Sequence, residues 1–339
     1  MIITRTPFRI SFFGGGTDYP VWYKKNGGAV LSTSINKYCY ITCRYFPPFF
    51  KYKYKISYSK IEEASYHHQI NHPSVRESLK FLKFKENLAI TYDADLPARS
   101  GLGSSSTFTV GLLNALYGLR GEIKTKQQLA LNAIHIEQNM IKESVGSQDQ
   151  TAAAFGGLNK IEFDGINQLT VHPLTIDQKK LNNLQNHLML FFTGLSRNAS
   201  EIAAEQIRLT PQKSQELHTM RQMVDEAINI LYNKKDNLND FGKLLHESWQ
   251  LKRGLSSQIS NSIVDEIYNT GIRAGALGGK LLGAGGGGFI LFFAKPEAQE
   301  CIKKKLKKYL YVPFRFENSG SRIIYYTHND SLEKESRFI

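Results

Sequence analysis

Seven residues, Ser100-Gly101-Leu102-Gly103-Ser104-Ser105-Ser106, hold two glycines and four serines and run straight into residues 107–116, which read as a helix. With Pro97, Ala98 and Arg99 before them they form a loop of small side chains feeding a helix N-terminus. Such a loop turns several backbone N–H groups toward one point, and the helix dipole adds partial positive charge there. That arrangement cradles a polyphosphate. The serine hydroxyls can bond phosphate oxygens or ligate Mg²⁺, a hard cation that prefers oxygen. The plainer reading is a Ser-rich turn with an N-cap. A Walker loop is excluded: the nearest match, Ala274-Gly275-Ala276-Leu277-Gly278-Gly279-Lys280-Leu281, lacks the first Gly and the hydroxyl after Lys280. A dinucleotide fingerprint is excluded as well, because Gly101-Leu102-Gly103 is followed by three serines. The expectation is a nucleoside triphosphate site of another design.

At 339 residues the chain is long for one core. Two lobes are expected, 1–175 and 176–339. No stretch is long and apolar enough to span a membrane, and the N-terminus has no leader-like apolar run. Cys39, Cys43 and Cys301 are odd in number and lack C-x-x-C spacing, which suits a reducing cytoplasm and gives no zinc site. The net charge of +13 favours anionic partners without choosing among them. Lys51, Lys53 and Lys55 alternate with Tyr52 and Tyr54. That alternation reads as a strand with one wet face in preference to a platform for single-stranded nucleic acid.

The first sixty residues read as strands, including Val21-Trp22-Tyr23, separated by Gly27-Gly28 from the strand that follows. A helix is expected over 73–84. Another starts at Thr125, where Thr125 and Gln128 make a capping box. Its apolar stripe is Leu129, Ala133, Ile136 and Met140, with Glu137 one position off. The second half reads as a strand at 188–193, helices at about 197–208, 211–232, 237–254 and 260–273, two strands around a glycine run, and a helix at 296–309. Strands near 312–316 and 322–327 are expected to finish the second lobe. Hairpin-like turns among alternating strands and helices argue α+β, not a doubly wound sheet.

Three glycine-rich segments lie beside apolar strands: Phe13-Gly14-Gly15-Gly16-Thr17-Asp18, the Ser-rich loop, and the run from Gly283 to Gly288. Each allows close approach of backbone by a ligand or another loop. Asp149 stands in a small-residue setting, Gly146-Ser147-Gln148-Asp149-Gln150, after the helix with Glu137. A phosphotransferase uses one carboxylate to hold Mg²⁺ and another near the acceptor hydroxyl, and Glu137 and Asp149 could divide those roles. The plainer readings are an N-cap for Asp149 and a solvated helix position for Glu137.

Together these segments resemble the GHMP kinases. Pro7-Phe8-Arg9-Ile10 through Thr17-Asp18 is similar to the family's first motif, with Phe8 for the usual Gly. Residues 97–106 match the second, Gly146 to Asp149 the S-G-x-D segment, and Lys280 to Gly288 the third, with Leu282 for Thr or Ser. Within the superfamily the wording is most similar to the D-glycero-D-manno-heptose 7-phosphate kinases, through Val145-Gly146-Ser147-Gln148-Asp149-Gln150 and Thr193-Gly194-Leu195-Ser196-Arg197-Asn198-Ala199-Ser200. The L-fucose kinases are close cousins.

The resemblance implies an α+β fold with an N-terminal lobe like ribosomal protein S5 domain 2 and a ferredoxin-like C-terminal lobe. It implies ATP and Mg²⁺ as cofactors, with the phosphates on Pro97, Arg99, Ser100, Gly101, Leu102, Gly103, Ser104, Ser105 and Ser106. Ser105 and Glu137 would ligate the metal. Asp149 would take or orient the acceptor proton, and Arg9 would stabilise the phosphoryl group or orient Asp149. Asp18 would bond sugar hydroxyls beside Gly15 and Gly16, with Lys280 and Gly286 also at the substrate. Arg197 would hold a substrate phosphate. The implied reaction places the ATP γ-phosphoryl on the anomeric O1 of a heptose 7-phosphate, in the making of nucleotide-activated heptose. The implied partner is a sugar phosphate, with no nucleic acid and no membrane, and a homodimer is compatible. An RNA-binding protein with an S5-like lobe would share the basic charge but has no use for Asp18, Glu137 and Asp149 beside glycine turns.

Overall fold

Strand Gly28–Tyr45 is the spine of the molecule. The computed structural model describes residues 1–47, 49–98, 100–165, 168–195, 199–233 and 238–327. Strand Ile2–Phe13 pairs antiparallel with the spine along most of its length. On its other edge the spine divides its partners. Residues 28–33 pair with strand Leu158–Asp164, and residues 39–45 with strand Leu88–Ala94. Strands Tyr54–Ser57 and Ile61–Ala64 extend the sheet beyond Leu88–Ala94, and Gln168–Pro173 extends it beyond Leu158–Asp164.

The second sheet is antiparallel and four-stranded, in the order Leu310–Tyr311, Leu188–Phe192, Phe289–Ala294, Ala276–Leu281. Helix Ser104–Leu119 packs on the first sheet and helix Asn239–Arg253 on strand Ala276–Leu281. This is the expected α+β arrangement. One apolar core crosses from sheet to sheet. Phe12 and Phe13, at the end of the first strand, meet Phe241 edge to face at 5.5 and 5.1 Å, and Phe241 packs on Phe293.

Three expectations are corrected. Val21-Trp22-Tyr23 is helical, within Pro20–Asn26, because Pro20 presets the first helical residue and Gly27 stops the chain in a left-handed conformation. Strands Phe316–Glu317 and Arg322–Tyr326 do not finish the second lobe. They return to the first sheet, against Ile35 and Ser34 and against Ile2 to Arg5. The Lys/Tyr alternation, expected as a strand from Lys51, is strand only from Tyr54: Tyr54 is buried with its hydroxyl on His67, and Tyr52, ahead of the strand, stacks on Phe46 and Phe50. The Thr125 capping box forms in both directions, at 3.2 and 3.0 Å. Among the described residues no helix is long and apolar enough to cross a membrane.

Candidate active site

Strand Ile2–Phe13 delivers Arg9, which is only 3% exposed. Its Nε and Nη2 donate to the two carboxylate oxygens of Asp149, each at 2.7 Å, and its Nη1 donates to the Gly101 carbonyl at 2.8 Å. Asp149 lies in the first turn of helix Gln148–Phe155. It is not the cap: Ser147 holds that position, and the Asp149 side chain turns onto Arg9. One guanidinium thus fixes both the carboxylate and the Ser-rich loop, with the planar fork geometry that a lysine could not supply.

The loop enters helix Ser104–Leu119 through Gly103, in the left-handed conformation at φ 78° and with no side-chain cap. A Cβ on Gly103 would stand 3.4 Å from Asp149 Cγ and Arg9 Cγ, so the helix N-terminus begins directly against the ion pair. Gly101, at φ +80°, faces the other glycine run: a Cβ there would meet the Leu282 carbonyl oxygen at 2.5 Å. Gly283 reciprocates against Gly101. The close approach expected of the third glycine segment is therefore to the Ser-rich loop itself.

A cleft of about 1040 Å³ opens on these groups. One flank is aromatic. His72 stacks on Phe108 with ring centroids 4.5 Å apart, and Tyr92 and Tyr58 meet that pair edge-on. The other flank holds Gly15, Gly16 and Asp18. Asp18 is 2% exposed, and its oxygens accept from the Gly16 N–H at 2.9 Å and the Gln148 N–H at 3.4 Å. Burial pushes its carboxyl above the usual range, with the nearby Asp149 charge adding to the shift against the Gly16 hydrogen bond.

Glu137 is fully buried, not solvated. It sits in a widened turn where the Ile141 N–H reaches back five residues to the Ile136 carbonyl. Its Oε2 accepts from Ser106 Oγ at 2.7 Å and from Gln150, while Oε1 has no hydrogen-bond partner. Burial, with the Glu143 charge adding to it, raises its pKa to about 7, although the Ser106 and Gln150 side chains favour the ionised form. Ser105 lies exposed on the cleft wall, and it is Ser106 that touches Glu137.

The remaining expected residues are placed as follows. Pro97, Ser104, Ser105 and Ser106 line the cleft; Ser100 is buried beside Gly288 and Leu102 is fully buried in the core. Lys280 lines the cleft, but its Nζ donates to the Phe12 carbonyl at 2.7 Å, and burial lowers its pKa well below that of a free lysine. Gly286 lies away from the cleft wall. Its N–H donates to the Ile259 carbonyl at 2.9 Å and its carbonyl accepts from Asn261 at 3.0 Å, so both backbone groups serve the fold. Arg99 and Arg197 lie outside the described residues.

Several groups at the cleft escaped the sequence reading. Lys252 ends an ordinary amphipathic helix beside Arg253, where a basic pair reads as complementing the helix dipole. The aromatic flank comes from four separate elements and has no local signature. Ser11 Oγ and Gln148 Oε1, on the flank with Gly15, have no hydrogen-bond partner, and the Gln206 side-chain amide, 4% exposed beside Gly16, has none among the described residues.

Two family models match the chain. Residues 73–157 match the GHMP kinases N terminal domain and residues 226–312 match GHMP kinases C terminal. The D-glycero-alpha-D-manno-heptose 7-phosphate kinase of Campylobacter jejuni is 31% identical over 321 residues, covering 91% of this chain and 93% of that protein. The chain belongs to the GHMP kinase family. It is a phosphotransferase of that family, whose members are ATP-dependent kinases.

The L-fucokinase/L-fucose-1-P guanylyltransferase of Bacteroides fragilis is 27% identical over 89% of this chain, which spans 35% of that longer protein. Among solved structures, a D-glycero-D-manno-heptose 1-phosphate kinase from Bacteroides thetaiotaomicron superposes with a TM-score of 0.79 at 24% identity. That match covers 97% of this chain and 100% of that one, and it shows the shared fold.

Proposed function

We propose that this GHMP kinase transfers the γ-phosphoryl group of ATP to the anomeric O1 of D-glycero-D-manno-heptose 7-phosphate, giving the 1,7-bisphosphate. The observation that carries the reading is the Arg9–Asp149 pair set against Gly103 of the Ser-rich loop, because a carboxylate held beside a loop of that kind suits a proton acceptor between donor and acceptor. The aromatic flank, with Phe108 one turn beyond Ser104 on the same helix, suits the nucleotide base. The loop and the helix N-terminus then receive the phosphates.

The oxygen donors Ser105, Ser106 and Glu137 fit a hard cation, and the partnerless Oε1 of Glu137 has capacity for one. Mg²⁺ bound there with the nucleotide would neutralise phosphate charge. Among the described residues no three His, Cys, Asp or Glu side chains cluster to hold a metal alone, so the nucleotide phosphates would complete the site.

Asp149 receives the proton of the attacking hydroxyl. Each of its oxygens keeps a lone pair after bonding Arg9. The anomeric hydroxyl is more acidic than other sugar hydroxyls, so a modest base suffices. Asp18, Gln148, Gln206 and Ser11 supply polar groups for a polyol, and buried groups left without partners are the ones a ligand hydroxyl satisfies best. Arg197 holds the 7-phosphate.

One observation favours an unphosphorylated acceptor such as L-fucose: Arg9 is committed to Asp149 and the Gly101 carbonyl, and the buried Lys280 donates to the Phe12 carbonyl. An acceptor screen with Mg-ATP separates the two readings. Turnover with heptose 7-phosphate at a kcat/KM at least about a hundredfold above that of free heptose or L-fucose is expected. The reverse order would replace heptose 7-phosphate by a free sugar.

A further inference from the structure

Lysines near helix ends ordinarily reach for water. Lys252 turns inward. It is 6% exposed, and its Nζ donates to the Leu281 carbonyl at 3.1 Å and the Gly283 carbonyl at 2.5 Å. An ammonium carries three N–H donors, so one remains. Lys252 lines the cleft. The charged groups around it are Arg9 from the first strand, Asp18 from the turn that follows, Asp149 from helix Gln148–Phe155 and Lys280 from strand Ala276–Leu281. Arg9 and Asp149 compensate each other. Among the described residues Lys252 forms no salt bridge, and neither does Lys280. A buried cation without a counter-ion is costly, and a ligand anion removes that cost. Gly283, whose carbonyl grips Lys252, is the glycine packed on Gly101 of the phosphate loop. The lysine is thereby fixed relative to the place where phosphoryl charge sits.

We propose that Lys252 is a further catalytic cation: its third N–H bonds the γ-phosphoryl group as that group passes from the loop-bound nucleotide to the acceptor, while the Leu281 and Gly283 carbonyls hold the ammonium in position. In the step, the bond from the acceptor oxygen to γ-phosphorus forms, and the bond from γ-phosphorus to the β–γ bridging oxygen breaks. ADP leaves with that electron pair, the acceptor proton goes to Asp149, and Lys252 stays protonated throughout. The inference rests on phosphoryl transfer from ATP and on no particular sugar.

Burial, and then the Arg9 charge, lower the Lys252 pKa to about 8, opposed by Asp18 and Asp149. The cation is therefore present at neutral pH and is lost as pH rises through that value. The wild-type kcat/KM falls along the same limb, since it reports the free enzyme. Lys252→Met lowers kcat at pH 7 by about 10²–10³-fold, the scale of one lost charge-stabilising donor. It leaves the KM values for ATP and acceptor within about threefold. Lys252→Arg keeps a permanent charge and moves the alkaline limb upward by more than one pH unit.

A lysine that only clamps the helix to the glycine turn predicts something else: a lower melting temperature in the Met variant, an unchanged kcat per folded molecule, and an alkaline limb still near pH 8 in the Arg variant. Either a folded Met variant with kcat within threefold of wild type or an Arg variant with an unmoved limb overturns the proposal. If the Met variant does not fold, the Arg profile decides. A wild-type protein that passes no phosphoryl group from ATP to any acceptor fails the kinase reading itself, before any variant is compared.

Discussion

Asp149→Asn lowers kcat by about 10²–10⁴-fold, the usual contribution of a positioned proton acceptor, while a non-hydrolysable ATP analogue binds within about threefold of wild type. The split follows from the geometry. Arg9 meets Asp149 through Nε and Nη2 but holds the phosphate loop through Nη1 on the Gly101 carbonyl, a separate hydrogen bond. The Asn side chain keeps the size of the Asp and one oxygen acceptor for Arg9, the other bond is lost to its NH₂ group, and the Nη1 bond to Gly101 keeps the guanidinium on the loop. What is lost is the charge and the proton capacity. Single-turnover rates and calorimetric titration of the analogue measure the two halves independently. Turnover within tenfold of wild type would remove Asp149 from the chemistry. A matching loss of analogue binding would recast the Arg9–Asp149 pair as a brace for the loop.

Gly101→Ala carries the second large effect. At φ +80° any side chain costs about 1–2 kcal/mol, and here the new Cβ would also lie 2.5 Å from the Leu282 carbonyl oxygen. The obstacle is backbone on strand-linked chain, so the loop and the glycine run must separate. That displaces both the phosphate cradle and Gly283, on which Lys252 is clasped. The expected result is a lowered urea midpoint together with a KM for ATP raised about tenfold or more. Gly121→Ala is the internal control. It has a similar φ, +72°, with nothing within 4 Å of a new Cβ. It should lose only the conformational part and keep the wild-type KM. Equal stability losses and equal KM values in the two variants would show that contact between the two glycine segments does not set the nucleotide site.

Local signals carried much of this architecture. The Ser-rich loop and its helix, the capping box at Thr125, the helix over Pro73–Phe81 and the paired strands around the glycine run each depend on residues near in sequence. Features set by distant partners were not legible. Strand Arg322–Tyr326, two isoleucines followed by two tyrosines, reads as a strand wherever it pairs, and only the tertiary fold sends it back to Ile2. Val21, Trp22 and Tyr23 favour a strand by type, yet Pro20 and Gly27 bound a helix that buries Trp22. Glu137 fell just off a 3.6-residue stripe because that period does not hold in the widened turn of residues 136–140.

The site divides the same way. Asp18, Arg9 and Asp149 stand beside glycines and could be found from motif and composition. The resemblance pairs Ser105 with Glu137, whereas the turn of the helix brings Ser106 onto that carboxylate. Lys252 has the surroundings of a solvated helix end until the fold places the carbonyls of Leu281 and Gly283 over it.

The proposed reaction is transfer to the anomeric oxygen of a sugar that already carries a phosphate. Phosphorus NMR of the product formed from Mg-ATP and heptose 7-phosphate tests it most directly. With the proposed reaction, the 7-phosphate triplet, split by two methylene protons, persists and a doublet grows beside it, split by the single anomeric proton, at the rate ADP appears. ADP formation without that doublet, or a new phosphate on any other carbon, would contradict it.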